Sequence, residues 1–183
     1  MSDLTEKTIK STGIFKGRVI ELYVDEVELP NGKTSTREII KHPGAVAVIA
    51  LTKEGKLVLV KQYRKPLERE LFEIPAGKLD PGEDPKACAL RELEEETGYS
   101  CESIEHLVSF STSPGFADEV LHVYFTDTLI KGEQRLDEDE FLDNHEVTLD
   151  EALKLLETKD IFDAKTVYAV QFLQMRQWMK SKK

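Results

Sequence analysis

The segment Gly77 to Tyr99, GKLDPGEDPKACALRELEEETGY, decides how the rest of the chain is read. Its first half is turn-forming, because Pro81, Gly82 and Pro85 oppose any helix that starts earlier. Pro85 suits a first helical turn, where its missing N–H breaks no helix bond. Asp84 supplies an N-cap and Gly98 a stop, so the spacing predicts a helix over 85–97. Glu92, Glu95 and Glu96 stand at i, i+3 and i+4, which places three carboxylates on one side of that helix. Ala87, Leu90 and Leu93 are expected on the other, buried side.

Three like charges on one stripe repel, at a cost of about 0.2–0.5 kcal/mol per close pair on an exposed helix. One reading is a solvated acidic face. The other is a cage for a hard divalent cation, since carboxylate oxygens are the donors that magnesium and manganese prefer.

The bulk composition limits the partners. The 183 residues fit one substantial domain, or one domain with a small appendage. Hydrophobic residues make up 40%, enough for a packed core. Thirty-five acids against 25 bases give a net charge of −10, which argues against general nucleic-acid binding. A small phosphorylated substrate stays open, because bound metal reverses the local sign. The two cysteines, Cys88 and Cys101, read as reduced thiols of a cytoplasmic protein. No apolar run approaches the length of a membrane span, and MSDLTEKTIK has no signal-like apolar region.

Residues 13 to 42 read as β-structure folded about Pro30-Asn31-Gly32, with a return strand at about 34 to 41. Pro43-Gly44 marks a boundary, giving an N-terminal antiparallel sheet over 1–43 and a main domain over 44–183. Strands are expected at 45–52, 56–64, 69–74, 104–111, 119–125 and 145–147. A helix over 149–158 starts with a capping box formed by Thr148 and Glu151, and a longer helix covers 163–180 with Val167, Val170, Phe172, Leu173 and Trp178 as its buried stripe. Strands first and flanking helices later predict an α+β domain, layered α/β/α.

The Gly77–Tyr99 segment resembles the signature of the Nudix hydrolases: Gly, five residues, Glu, seven residues, then Arg-Glu-aliphatic-x-Glu-Glu-x-Gly-aliphatic. Gly77, Glu83, Arg91, Glu92, Leu93, Glu95, Glu96 and Gly98 fill it, and only Tyr99 departs, standing where an aliphatic is usual. So many fixed positions make this far more specific than a short glycine pattern. The resemblance implies the Nudix sandwich, a mixed sheet between helices, and metal-dependent hydrolysis of a nucleoside diphosphate linked to another group.

Further blocks resemble the ADP-ribose-cleaving branch of the family: Pro114, 15 residues past Tyr99, together with HPGAVAV (42–48), QYRKP (62–66), SPGFADE (113–119) and DAKT (163–166). That resemblance implies cleavage of ADP-ribose to AMP and ribose 5-phosphate. Glu92, Glu95, Glu96, Glu140 and the Ala76 carbonyl would hold two or more magnesium or manganese ions. Glu138 would be the general base; the two loop acids are also open to exchange, and LDEDE to being a charged surface loop. Arg91 is read as orienting the glutamates through Glu95, and Glu83 as supporting the loop, with Gly77 and Gly98 as structural positions. Arg37, Glu38, Arg64, Ser113, Pro114, Gly115 and Glu119 would contact substrate. Phe15 or Tyr23 would stack on adenine or pack in a core or interface. His42, His106, His122 and His145 lack metal-ligand spacing and read as structural. The branch further implies a homodimer with exchanged N-terminal sheets. Other nucleoside diphosphate sugars, dinucleotides or nucleoside triphosphates remain alternative substrates, and a non-catalytic nucleotide-binding module the alternative class.

Overall fold

The computed structural model describes residues 3–136 and 141–182, and they adopt the mixed α+β architecture expected from the pattern. The chain divides into two compact units, one formed by 1–44 with 110–121, the other by 45–109 with 122–183.

The first unit is built on an antiparallel meander, β1 (Lys7–Lys16), β2 (Glu21–Glu28) and β3 (Thr34–Lys41). The β2–β3 turn closes as the sequence dictates. Gly32 takes a positive φ of 77°, and the Asn31 side chain accepts from the Lys33 N–H at 3.0 Å. Strand β1 begins six residues before the expected start. Its polar KTIKS stretch is exposed at every position, so no buried face imprinted a pattern there. Segment 110–121 joins this unit through β3, where the Ile40 N–H donates to the Phe116 carbonyl at 2.7 Å and the Asp118 N–H to the Ile40 carbonyl at 3.1 Å.

In the second unit, β4 (Ala45–Ala50) lies in a sheet of order β7-β4-β10-β9, with β7 (Ala76–Lys78), β9 (Glu105–Ser111) and β10 (Val120–Thr126). A second sheet has the order β12-β5-β6, made of β5 (Leu57–Arg64), β6 (Arg69–Glu73) and β12 (Asp143–Val147). A short ribbon pairs β8 (Tyr99–Cys101) with β11 (Leu129–Lys131). Strand β4 and the first half of β5 are buried at every position, which is why they read as continuous apolar runs rather than alternating ones.

Helix α1 (Pro85–Thr97) packs on β4, β7 and β8 over a core that includes Val46, Val48, Val58, Cys88, Ala89 and Leu93. Asp84 caps it by accepting from the Lys86 and Ala87 N–H groups, and Gly98 ends it at φ 72°. Its buried face differs from the expected one. Ala87 and Leu90 are exposed, whereas Cys88, Ala89, Glu92, Leu93, Glu96 and Thr97 are buried. The acidic stripe therefore faces inward, over a strand whose Ala76 and Gly77 leave room for two carboxylates.

Helix α2 (Leu149–Thr158) has the predicted capping box, and α3 (Ala164–Ser181) packs against α2 and β6. The α3 stripe is Thr166, Ala169, Val170 and Leu173, while Trp178 is 61% exposed. Five residues past Leu173, Trp178 sits roughly 140° around the helix from it, off the buried line. No helix among the described residues is long and apolar enough to cross a membrane.

Candidate active site

The acidic face of α1 and strand β7 form the centre of the site. Strand β7 presents Ala76 and Gly77 to α1, and their small size lets backbone approach the helix. Glu96, 4% exposed, accepts from the Ala76 N–H at 2.9 Å. Glu92, 9% exposed, lies directly over Gly77: a Cβ there would stand 1.9 Å from its carboxyl carbon. Any side chain at 77 would collide with that carboxylate, which accounts for glycine at this position.

Arg91 ties the cluster together. One guanidinium edge pairs with Glu83, Nε donating to Oε1 and Nη2 to Oε2, each at 3.0 Å. The remaining Nη1 donates to both Glu92 and Glu95 at 2.9 Å. Glu83 also accepts from the Asp80 N–H at 3.1 Å, so the loop before α1 is fastened to the helix through one carboxylate. These bonds, Arg91 first, hold the Glu83 carboxyl down to about 2, and the same pairing raises Arg91. Glu83 and Arg91 therefore stay charged at neutral pH. Burial, then Glu83, pushes the Cys88 thiol up to about 12, so it is a neutral packing group beneath the guanidinium.

A second polar cluster lies in the same unit. Glu73 on β6 is 1% exposed and accepts from Arg64 through both oxygens, at 2.6 and 2.7 Å. Lys165 on α3 donates to Glu73 as well, and to Asp163 at 2.9 Å. Asp163 in turn caps α3 through the Thr166 N–H, and the Thr166 hydroxyl accepts from the Ile74 N–H at 3.0 Å. Burial works against the Glu73 charge, but Arg64 and Lys165 outweigh it and its pKa is lowered. Glu73 and Lys165 are absent from the expected site residues. Their signal was Glu73's place two residues from Leu71, on the inward side of a strand, where a lone carboxylate needs buried cations.

The other expected contacts fall in the first unit. Arg37 pairs with Glu6, and Glu38 stands opposite Val24 across the β2–β3 ladder. Ser113, Pro114 and Gly115 form a turn in which the Ser113 carbonyl accepts from the Phe116 and Ala117 N–H groups. Glu119 accepts from the Thr112 hydroxyl and lies 3.5 Å from His42. Glu138 and Glu140 lie outside the described residues. The segment just before them is tied to the end of α1: the Arg135 N–H donates to the Glu95 carbonyl at 3.0 Å, the Gln134 amide to that of Glu96 at 2.7 Å, and the Gly132 N–H to that of Gly98 at 2.7 Å.

Among the described residues no three acids, histidines or cysteines already stand together in metal-ligating geometry. The donor set nevertheless suits a hard divalent cation, because Glu92, Glu95 and Glu96 offer carboxylate oxygens from one helix face, two of them buried.

A family model described as the NUDIX domain matches residues 41–170, and one described as the nucleoside diphosphate sugar hydrolase N-terminal domain matches 6–40. The chain belongs to the Nudix family. It is 63% identical over 179 residues to the methanol dehydrogenase activator of Bacillus methanolicus, covering 97% of each chain. It is 57% identical to the ADP-ribose pyrophosphatase of Bacillus subtilis over all of both chains. A solved ADP compounds hydrolase superposes over 100% of this chain and 98% of its own with a TM-score of 0.83, at 23% identity, a likeness of fold. The residues that carry the Nudix resemblance lie on neighbouring elements: Gly77 on β7, Glu83 in the loop before α1, Arg91, Glu92, Glu95 and Glu96 on α1, and Gly98 at its C-cap.

Proposed function

We propose that this Nudix protein hydrolyses the diphosphate of ADP-ribose to AMP and ribose 5-phosphate. The observation that carries the reading is the full-length 57% identity to an ADP-ribose pyrophosphatase. The inward acidic face of α1 supports it. Glu92, Glu95, Glu96, the Ala76 carbonyl and Glu140 would hold the metal. When bound, two or more magnesium or manganese ions neutralise charge on the diphosphate and make water more acidic.

The chain's own groups do the rest. Arg91 and the Ala76 N–H hold the three helix glutamates in place, so little reorganisation is needed as charge develops. Arg64 donates to a diphosphate oxygen by a charge-assisted bond. Glu138 takes the proton from the attacking water. Arg37, Glu38, Ser113, Pro114, Gly115 and Glu119 shape the remaining substrate contacts.

The first unit is read as a dimer element. Strand β1 is exposed throughout, and Ile9, Ile14, Phe15 and Val19 present apolar surface on a small sheet that suits a second copy. Light scattering is expected to give about twice 20.8 kDa; a stable monomer removes the exchanged-sheet reading. The unpaired Cys88 and Cys101 fit a reducing cytoplasm.

A panel of ADP-ribose, GDP-mannose, dinucleotides and nucleoside triphosphates tests the substrate. ADP-ribose is expected to give the highest kcat/KM; a clear preference for a triphosphate overturns the assignment. The 63% identity to a methanol dehydrogenase activator favours a second reading, that the chain raises the turnover of a dehydrogenase. Adding wild type and Glu96→Gln to methanol dehydrogenase separates the two. Activation by both is independent of hydrolysis, activation by wild type alone depends on it, and no activation removes the second reading.

A further inference from the structure

We propose that Glu73 and Lys165 are positioning residues that aim Arg64 at the diphosphate. The proposal rests on the reading of Arg64 as a substrate contact. Glu73 engages Nε and Nη2, one whole edge of the guanidinium, at 2.6 and 2.7 Å. Nη1 makes no hydrogen bond among the described residues, and the fixed fork turns that edge to a single direction. Arg64 remains 40% exposed at the side chain, whereas its partner is almost wholly buried. A buried carboxylate gripping a half-exposed guanidinium is an anchor with one free end.

Lys165 fixes the anchor. It donates to the same Glu73 oxygen that Arg64 Nη2 uses, and its stem comes from the first turn of α3, 92 residues along the chain. Asp163 holds the Lys165 ammonium from the other side at 2.9 Å, while its N-cap bond to Thr166 ties the cluster to the helix end. The Thr166 hydroxyl then takes the N–H of Ile74, the residue after Glu73. Strand β6 and α3 are therefore locked on both sides of the carboxylate. Two cations against two carboxylates leave the cluster formally neutral. It supplies no net attraction for a phosphorylated ligand; it supplies direction, which is what a charge-assisted bond to a diphosphate oxygen requires.

The test is a double-mutant cycle of Lys165→Met and Arg64→Met, with KM and kcat for ADP-ribose measured separately and folding checked by thermal unfolding. Lys165→Met is expected to raise KM about tenfold, with kcat within about threefold, and to have no further effect once Arg64 is methionine, because coupled residues are not additive. Glu73→Asp keeps the charge but withdraws the anchor by one methylene, and is expected to raise KM in the same way. A second readout does not depend on turnover. The Arg64 Nε–H resonance is expected to exchange slowly with solvent in the wild type and faster in both variants. Additive losses in the cycle, or an unchanged KM in folded Lys165→Met, overturn the proposal. A wild type that leaves ADP-ribose intact counts instead against the hydrolase reading. Slow Nε–H exchange that is unchanged in Lys165→Met counts against the positioning role alone.

Discussion

Glu96→Gln is expected to lower ADP-ribose turnover by at least about 10²-fold while the protein stays folded. Glutamine has the same shape and keeps an oxygen for the Ala76 N–H, which Glu96 accepts at 2.9 Å. What it loses is the negative charge. Glu92 stands one turn back on the same buried face, so the substitution relieves a like-charge contact while giving up the attraction between Glu96 and Arg64. Thermal unfolding should therefore show a midpoint close to that of wild type. Loss of activity without loss of stability separates a functional carboxylate from a structural one, and full turnover by this variant would remove Glu96 from the site.

The second large effect is expected at Gly77→Ala. The added methyl would lie 1.9 Å from the Glu92 carboxyl carbon and 2.0 and 2.3 Å from its oxygens. Atoms cannot approach so closely, so either Glu92 swings away or β7 withdraws from α1. Both displace a carboxylate that Arg91 holds at 2.9 Å. Because the obstacle is the end of a side chain, the stability cost should stay in the overpacking range, about 1–3 kcal/mol. The loss of turnover should be larger, about 10²-fold, since small misplacements at a reacting centre weigh heavily. Shortening the acid as well, in Gly77→Ala/Glu92→Asp, should restore the melting temperature but not the turnover. Wild-type kinetics in Gly77→Ala would mean that Glu92 has no fixed role.

Much of this was legible in the sequence because the informative features are local. Asp84, Pro85 and Gly98 bracket α1 by cap chemistry, and Thr148 with Glu151 marks the start of α2; α1 begins and ends, and α2 begins, at those residues. The continuous apolar run of β4 announced its burial. Strands β7, β8 and β11 have three residues each, too few for any alternation to register. The orientation of α1 was misread for a different reason. Hydrophobicity alone favours burying Leu90 over Glu92, but the face a helix buries is set by what lies beneath it. Here that is a strand of alanine and glycine with an N–H to offer. The Glu73–Lys165 pair eluded sequence reading because its members lie 92 residues apart and meet only through the fold. The acids at 138 and 140 rest on resemblance alone, because they lie outside the described residues.

The most direct test is product analysis of the purified full chain incubated with ADP-ribose and magnesium, with and without excess chelator. AMP and ribose 5-phosphate are expected in equal amounts, with cleavage stopped by the chelator and restored by added magnesium or manganese. ADP-ribose left intact in ample metal, or cleavage that persists in the chelator, would contradict the account.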